Sequence, residues 1–205
     1  MADWIEDLRS AWKGHRSFAE WLVREVAPSC IVDLGVDYGY STFVFASALK
    51  AVCAEKGTTG NTYGIDLFQG DPHTGTRETY DSVVPLITEH ELDSLEIIKK
   101  DFKEASLSWT KPIQILHIDG YHTSEAVTSD FSSWAPFVAE DGVILLSNTA
   151  VGRFGVRSFF SELKDGNKLY FTNSYGLGIY TKNAELAQKI KDSFPDVNDF
   201  SVKPF

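Results

Sequence analysis

The chain reads Ile31-Val32-Asp33-Leu34-Gly35-Val36-Asp37-Tyr38-Gly39-Tyr40-Ser41 where an apolar run meets two glycines and then a helical pattern. This order predicts a buried β-strand, a tight turn and the N-terminus of a helix. Gly35 and Gly39 allow the backbone to turn sharply and to approach a ligand, and the free N–H groups of the helix N-terminus attract carboxylates. An ordinary strand-turn-helix joint also needs glycines, so the spacing alone does not identify a ligand. The Gly-x-Gly-x-x-Gly spacing of dinucleotide-binding turns is absent, which weakens the hypothesis of a nicotinamide dinucleotide.

Apolar runs of strand length alternate with longer helical patterns around this segment. The strand runs are Cys30–Leu34, Thr62–Ile65, Leu95–Ile98, Ile113–Ile118 and Gly142–Leu146. The helical patterns are Ser41–Glu55, Thr76–Glu89, Asp101–Ser108, Ser124–Val138 and Val156–Lys164. Continuous apolar strands separated by helices are typical of a parallel sheet that is covered on both faces. The sequence therefore predicts a doubly wound, Rossmann-like α/β fold with five parallel strands.

The two ends of the chain add to this core. Two amphipathic stretches, Asp3–Lys13 and Ser17–Ala27, predict N-terminal helices, and Lys168–Thr172 with Leu177–Thr181 predicts an antiparallel hairpin. We expect a single domain over residues 1–205, with N-terminal helices in 1–28, the core in 29–182, and a C-terminal helix and tail in 183–205. The aromatic N-terminal helices also offer a contact for a homodimer.

Composition and charge limit the class of protein. The 205 residues carry a formal net charge of −10, which repels phosphate backbones and argues against nucleic acid and anionic membrane surfaces as partners. No apolar run is long enough for a membrane span, and the acidic N-terminus does not resemble a signal peptide, so we expect a cytoplasmic protein. Cys30 and Cys53 lack metal-binding or redox spacing and are interpreted as reduced, buried residues.

Acidic residues follow the second and third predicted strands. Asp66, in Gly64-Ile65-Asp66, stands at the distance expected for a carboxylate that binds ribose hydroxyls. Asp101 and Phe102 could contact an adenine edge and face, although an N-cap and a core aromatic residue would explain them equally well. The long connection after Asp66 begins at the carboxyl edge of the sheet, where such folds place ligand contacts.

Polar residues also end the fourth and fifth predicted strands. Asp119 and His122 follow the fourth strand, and Ser147 and Asn148 follow the fifth. Because the carboxyl ends of parallel strands meet at one edge of the sheet, these side chains are predicted to face the same cleft. Histidine is suited to accept a proton at neutral pH if it reaches the nucleophile, whereas turn-forming and capping roles are the alternatives. His117 alternates into the sheet and is predicted to be a core histidine.

Several motifs in a fixed order resemble one family. DLGVDYGYS, GID, IDGYH and LLSN resemble the class I S-adenosylmethionine-dependent methyltransferases related to catechol and caffeoyl-CoA O-methyltransferases. Longer stretches, such as GIDLFQGDPHTG and LHIDGYHTSEAVTSDFSSWAP, look like the methyltransferase-domain proteins associated with glycan and polysaccharide pathways. The resemblance covers about Ile31 to Thr181.

The resemblance implies S-adenosylmethionine as the cofactor. The glycine turn with Ser41 would hold its amino acid part, Asp66 its ribose, and Asp101 with Phe102 its adenine. The full set of predicted cofactor contacts is Asp33, Gly35, Asp37, Gly39, Ser41, Asp66, Leu67, Asp101, Phe102 and Asp119.

The resemblance also bears on a divalent metal. Asp119 matches a position that binds the metal in the catechol-type enzymes, and Asn148 matches a second, amide ligand. His122 stands where those enzymes carry a lysine that takes the hydroxyl proton. Ser147 replaces a carboxylate of that site, and a hydroxyl is a poor ligand for magnesium, so no metal site is assigned. A mixed site suited to a transition metal is a secondary hypothesis, and it would use Asp71, His73, Asp119, His122 and Asn148.

The sequence predicts methyl transfer from S-adenosylmethionine to an oxygen of a small molecule or a sugar. His122 would be the base, Asp119 would orient the acceptor or the base, and Asn148 would bond the acceptor oxygen. Two other classes stay open: a metal-dependent hydrolase or hydroxylase-like enzyme on the same fold, and a non-catalytic cofactor-binding module. Metal-dependent activity without cofactor consumption would indicate the first class, and tight cofactor binding without methyl transfer the second.

Overall fold

The computed structural model describes residues 3–72 and 75–205, which form a large eight-stranded sheet with helices on both faces. The strands are β1 Cys30–Leu34, β2 Asn61–Asp66, β3 Gly70–Asp71, β4 Gly75–Thr76, β5 Leu95–Lys99, β6 Ile113–Ile118, β7 Val138–Ser147, β8 Asn167–Phe171, β9 Leu177–Thr181 and β10 Asn198–Asp199. The helices are α1 Arg16–Val26, α2 Tyr40–Lys56, α3 Tyr80–Glu89, α4 Phe102–Ser106, α5 Ser124–Trp134, α6 Gly155–Glu162 and α7 Ala184–Ser193.

The large sheet has the strand order β10-β8-β9-β7-β6-β1-β2-β5, while β3 and β4 form a separate ribbon. Strands β7, β6, β1, β2 and β5 run parallel, and β9, β8 and β10 continue the sheet in antiparallel pairs. The prediction of a doubly wound, Rossmann-like sheet with a C-terminal antiparallel hairpin is confirmed. The short strand β10 lies in the tail and was not predicted.

Apolar side chains fill both faces of the sheet because successive residues of a strand point to opposite sides. On one face, Ile31 and Ile115 pack with residues of α1, α2 and α7. On the other face, Val32 and Leu116 pack with residues of α4, α5 and α6. This double cover explains why β1 is buried at every position and is apolar apart from Asp33. Within the described ranges, no helix has the length and apolar character needed to cross a membrane.

The N-terminal segment differs from the helix predicted over Asp3–Lys13. It forms two short 3-10 turns, Trp4–Asp7 and Trp12–His15, before α1 begins. The Trp12 side chain is buried, and its ring lies 5.1 Å from the ring of His117. Because tertiary packing of a large aromatic side chain outweighs local helix propensity, the backbone bends to bring this indole into the core.

Several predicted helices also have different bounds. α3 begins at Tyr80 rather than Thr76, because Gly75–Thr76 pairs with Gly70–Asp71 in the ribbon. α5 ends at Trp134 rather than Val138, since Pro136 has no N–H to continue the helix and the chain turns into a 3-10 segment. α4 is shorter than predicted and ends at residue 106.

The aromatic residues of the N-terminal segment pack inward. Phe18 is buried, and its ring lies 5.1 Å from the ring of Phe171. Trp21 packs edge-on against Phe194 at 5.3 Å. The homodimer contact predicted for these residues stays a prediction.

Candidate functional site

A cavity of about 650 Å³ opens at the carboxyl edge of the parallel strands. Its walls come from the turn after β1, the end of β2, and the loops after β5, β6 and β7. Residues 9–12 and residues 174–175 supply two further walls. Cavities of about 300 to 1,000 Å³ with a few converging polar groups are typical of small-molecule sites.

The glycine turn brings β1 close to the loop that follows β6. Gly35 has a φ of +103°, and a Cβ atom there would lie 2.1 Å from the backbone oxygen of Asp119. The Asp119 N–H donates to the carbonyl of Leu34 at 2.8 Å. Only glycine fits this approach, which places Asp119 beside the turn. Gly39 instead caps the N-terminus of α2 and lies against the Phe43 ring, and it does not line the cavity.

Asp66 joins the end of β2 to the glycine turn. Its Oδ2 accepts the N–H of Asp37 at 2.9 Å, and its Oδ1 accepts the N–H of Phe68 at 2.7 Å. Burial raises the pKa of the Asp66 carboxyl, although the two backbone hydrogen bonds act in the opposite direction. Burial also raises the pKa of Asp37 to about 6, against the effect of Arg77, whose Nε lies 2.9 Å from the Asp37 carboxylate. Leu67 lines the cavity and is partly exposed.

Asp101 and Phe102 line the cavity next to α4. Asp101 caps this helix, since its Oδ1 accepts the N–H groups of Lys103 and Glu104 at 2.9 and 3.1 Å. The Phe102 ring lies against Gly120, where a Cβ would meet it at 2.6 Å. Asp101 therefore both caps α4 and lines the cavity.

The three predicted catalytic residues meet at the ends of β6 and β7. Asn148 Nδ2 lies 2.6 Å from His122 Nε2 and 3.1 Å from Asp119 Oδ1, and His122 Nε2 lies 3.4 Å from the same oxygen. The His122 ring stacks on Phe154 with centroids 4.7 Å apart. Burial alone would raise the pKa of Asp119, but its hydrogen bond with His122 and the nearby His117 hold that pKa below the usual range.

Asp33 lies beneath the cavity rather than in its wall. Its Oδ2 accepts the hydroxyls of Ser41 and Thr42 at 2.8 and 2.6 Å, and its Oδ1 lies 2.7 Å from His117 Nδ1. Asp33 is fully buried and stands two residues before Gly35, so its side chain lies below the turn and does not line the cavity. His117 Nε2 lies 2.9 Å from the Ser147 hydroxyl, which confirms the prediction of a core histidine with hydrogen-bond partners.

The donor set at this place does not fit magnesium. The Ser147 hydroxyl lies 2.9 Å from His117 Nε2, and Asp119 is the carboxylate beside His122 and Asn148. Among residues 3–72 and 75–205, no group of three or more His, Cys, Asp or Glu side chains could hold a metal ion. Of the residues in the secondary metal hypothesis, His73 and the side chain of Asp71 lie outside the described part of the chain.

Several cavity residues have backbone conformations that are rare outside glycine. φ is +50° at Asp37, +59° at Phe68, +66° at Asn148, +46° at Ser174 and +66° at Tyr175. All of these residues line the cavity. Such conformations persist where surrounding contacts hold them, and they concentrate at functional sites.

Sequence reasoning missed the walls built by residues 9–12 and 174–175. The two walls are bonded to each other, because the Gly14 N–H donates to Ser174 Oγ and the Asn173 amide donates to the Gly14 carbonyl, both at 3.1 Å. Turn-forming residues at 173–176 predicted the hairpin loop. No local pattern indicated that the loop would meet the N-terminal segment.

Comparison with known sequences places the chain in a family. Residues 32–149, more than half of the chain, match the family described as methyltransferase domain. The uncharacterized protein y4gI of Sinorhizobium fredii is 33% identical over 188 residues. That match covers 89% of this chain and 20% of the relative, so the chain spans about a fifth of that protein's length.

Solved structures share the fold. A protein from Staphylococcus aureus, described as a caffeoyl-CoA O-methyltransferase, has a TM-score of 0.65 at 14% identity, with 86% of each chain covered. A methyltransferase of Podospora anserina bound to S-adenosylhomocysteine has a TM-score of 0.63 at 11% identity, over 82% of this chain and 77% of that one. An O-methyltransferase of Bacillus cereus in complex with S-adenosylhomocysteine has a TM-score of 0.59 at 15% identity, over 82% and 81%. With the fold, the motifs and the family match in agreement, the chain belongs to the methyltransferase domain family.

Proposed function

We propose that this chain transfers a methyl group from S-adenosylmethionine to a hydroxyl oxygen of a small molecule or a sugar. One observation carries the proposal: Asp66 beside the glycine turn and the cluster of Asp119, His122 and Asn148 line the same cavity. Methyl transfer of this kind needs the reacting atoms to be aligned at about 3 to 3.5 Å and one proton to be removed. A single cavity with a binding side and a proton-accepting side can meet both needs.

The glycine-turn side of the cavity fits the adenosyl cofactor. The turn leads into α2, whose N-terminus presents backbone N–H groups that suit a carboxylate. The Asp66 carboxylate accepts the backbone N–H groups of Asp37 and Phe68, and its remaining lone pairs can accept a ribose hydroxyl. Bound S-adenosylmethionine would supply an electrophilic methyl group. The S-adenosylhomocysteine in the Podospora and Bacillus structures supports the same ligand class here.

The other side of the cavity would hold the acceptor. His122 stacks on Phe154 at an interplanar angle of 13°, which fixes the plane of the imidazole. As the acceptor oxygen attacks the methyl carbon, His122 would take its proton. Asn148 and Asp119 contact the His122 ring and would orient it or the acceptor hydroxyl.

The walls favour a small acceptor. Trp12, Phe154 and Tyr175 line the cavity and offer aromatic surface, against which rings and the apolar faces of sugars pack. The net charge of −10 disfavours a nucleic acid as the acceptor.

Two measurements in sequence test the proposal. Isothermal titration of the purified chain with S-adenosylhomocysteine is expected to show saturable binding at one site. A panel of phenols, catechols, hydroxy acids and sugars is then incubated with methyl-labelled S-adenosylmethionine, with and without EDTA, and transfer to one acceptor class is expected. Absence of cofactor binding contradicts the proposal, whereas binding without transfer to any acceptor supports the non-catalytic module instead.

A further inference from the structure

One arginine in the wall of the cavity has no acidic partner in the described part of the chain. Arg153 stands in the loop after β7 and lines the cavity. Its guanidinium lies over the Phe154 ring, 5.2 Å from the centroid, and it takes part in none of the ion pairs between described residues. Arg77, also in the cavity wall, is instead paired with Asp37. In a chain with 29 acidic and 19 basic side chains, a guanidinium without a carboxylate keeps its N–H donors open to a ligand.

Backbone hydrogen bonds hold the Arg153 loop beside the proposed base. The Phe154 N–H donates to the Val151 carbonyl at 3.0 Å. The Gly155 N–H donates to the His122 carbonyl at 2.9 Å, which joins this loop to the loop after β6. The Phe154 ring contacts both side chains, since it also stacks on the His122 imidazole. The guanidinium of Arg153 therefore belongs to the acceptor side of the cavity.

A second open group comes from the loop between β8 and β9. Tyr175 lines the cavity and is 60% exposed. Its carbonyl accepts the Ala150 N–H at 3.0 Å, and the carbonyl of Gly176 accepts the Asn148 N–H at 2.8 Å. These bonds join the hairpin loop to the end of β7, where Tyr175 has a φ of +66°. An aromatic ring in a cavity wall supplies a surface against which the ring of a ligand packs.

The charges on the acceptor side have a polarity. The Asp119 carboxylate accepts a hydrogen bond from Asn148 Nδ2 at 3.1 Å and lies beside His122. It suits a hydroxyl of a ligand, which can donate a hydrogen bond, and it repels a carboxylate. Arg153 attracts a carboxylate instead. A ligand that carries both groups would be oriented with its hydroxyl at His122 and its anionic group at Arg153.

We propose that the methyl acceptor is a hydroxylated ring compound that carries a carboxylate, with Arg153 binding the carboxylate and Tyr175 packing against the ring. This inference rests on the proposed function and names its substrate class. A planar guanidinium can bind a carboxylate through two parallel N–H donors, which fixes the orientation of the ligand. Hydroxybenzoates and uronic acids share this chemistry, and the test separates them.

Binding of matched pairs of small molecules tests the proposal. The purified chain is titrated with protocatechuate and its uncharged methyl ester, and with glucuronate and uncharged glucose, each with and without saturating S-adenosylhomocysteine. One acid is expected to bind about tenfold more tightly than its uncharged counterpart, because only the acid forms charge-assisted hydrogen bonds with a guanidinium. The acid that shows this preference identifies the ring as aromatic or as a sugar.

Variants assign the preference to its residue. Arg153→Gln should reduce the preference for the acid to about twofold or less, and Arg153→Lys, which keeps the charge but not the planar fork, should retain part of it. Arg157→Gln is the matched control, because Arg157 lies over the Phe205 ring at 4.7 Å and is not in the cavity wall. Tyr175→Ala should weaken binding of the acid and of its uncharged counterpart by the same factor, and Tyr175→Phe should restore both.

The outcomes separate this inference from the proposed function. Equal affinity for each acid and its uncharged counterpart overturns the inference, as does a preference that survives Arg153→Gln or that Arg157→Gln removes equally. Affinities that do not change in Tyr175→Ala overturn the ring contact. A chain that binds S-adenosylhomocysteine but none of the four compounds also overturns the inference. A chain that does not bind S-adenosylhomocysteine overturns the proposed function instead, and the titrations without cofactor still show whether Arg153 selects an acid.

Discussion

The two sides of the cavity are built in different ways. At the glycine-turn side, Asp66 accepts backbone N–H groups from Asp37 and Phe68, so one side chain organises main chain from two neighbouring loops. At the acceptor side, Asp119, His122 and Asn148 contact one another through side chains. The first side therefore depends on backbone geometry and the second on residue identity. Substitutions should change ligand affinity at the first side and turnover at the second.

The largest expected effect is a loss of turnover, without a loss of cofactor affinity, when His122 is replaced. If this imidazole takes the acceptor proton, His122→Ala should lower kcat about 10² to 10⁴-fold, as is typical for loss of a general base. The dissociation constant for S-adenosylhomocysteine should not change, because the glycine turn keeps its contacts. The measurement pairs initial rates of methyl transfer with isothermal titration.

His90→Ala provides the control for a histidine outside the cavity. His90 stacks on Trp4 with ring centroids 3.6 Å apart, so its loss should affect stability rather than kcat. Equal kcat values for His122→Ala and the wild type would remove His122 from the mechanism.

Gly35 is the point where the two sides touch, and its substitution should damage both. In Gly35→Ala the new Cβ would lie 2.1 Å from the Asp119 carbonyl oxygen at a φ of +103°. Backbone strain and displacement of the β6 loop should lower the free energy of unfolding by about 3 kcal/mol. Gly57→Ala is the control, since Gly57 has a φ of +65° but no atom within 4 Å of its Cβ, and it should cost about 1 kcal/mol. Urea unfolding gives the free energy of unfolding of each variant. Equal losses in Gly35→Ala and Gly57→Ala would show that backbone strain, and not the contact with Asp119, causes the destabilisation.

The sheet and most strand-end residues could be predicted because their signals are local. A strand covered on both faces reads as a continuous apolar run, and in a parallel sheet the residues after such runs meet at one edge. From this rule the sequence predicted that Asp66, Asp119, His122 and Asn148 meet, and all four line one cavity. The strand pattern predicted which face of the sheet each side chain occupies, but not how far below the cavity it lies. The sequence therefore did not predict that Asp33 lies under the cavity rather than in its wall.

The remaining walls depend on contacts between distant parts of the chain. The Gly14 N–H and the Ser174 hydroxyl are 160 positions apart, and their bond brings the N-terminal turns beside the hairpin loop. The positive φ angles at Ser174 and Tyr175 direct the loop toward the cavity. Neither serine nor tyrosine requires a positive φ, so the sequence did not predict this wall of the cavity.

A smaller effect is expected at the glycine-turn side from Asp66→Asn. The amide keeps the shape of the carboxylate but presents an N–H₂ group to one of the two backbone donors, and it accepts a ribose hydroxyl less well. Affinity for S-adenosylhomocysteine should fall about 10-fold, or about 1.4 kcal/mol, while kcat at saturating cofactor changes little. Asp81→Asn, on the exposed face of α3, is the matched control. A kcat loss larger than the affinity loss would contradict the division of labour between the two sides.

The smallest effect concerns pH, and its sign differs between the two sides. Burial raises the pKa of Asp37 to about 6, so the folded chain holds this proton more tightly than the unfolded chain, and stability falls as the pH rises from about 4 to about 6. The pKa of Asp119 is lowered, so its contribution is present above about pH 4 and is lost on further acidification. Because Asp37 is 44% exposed beside Arg77, its contribution should stay below about 1 kcal/mol. Urea unfolding of Asp37→Asn at pH 4 to 7 should show a flatter decline than the wild type, and a steeper one would mean that the Arg77 charge outweighs burial.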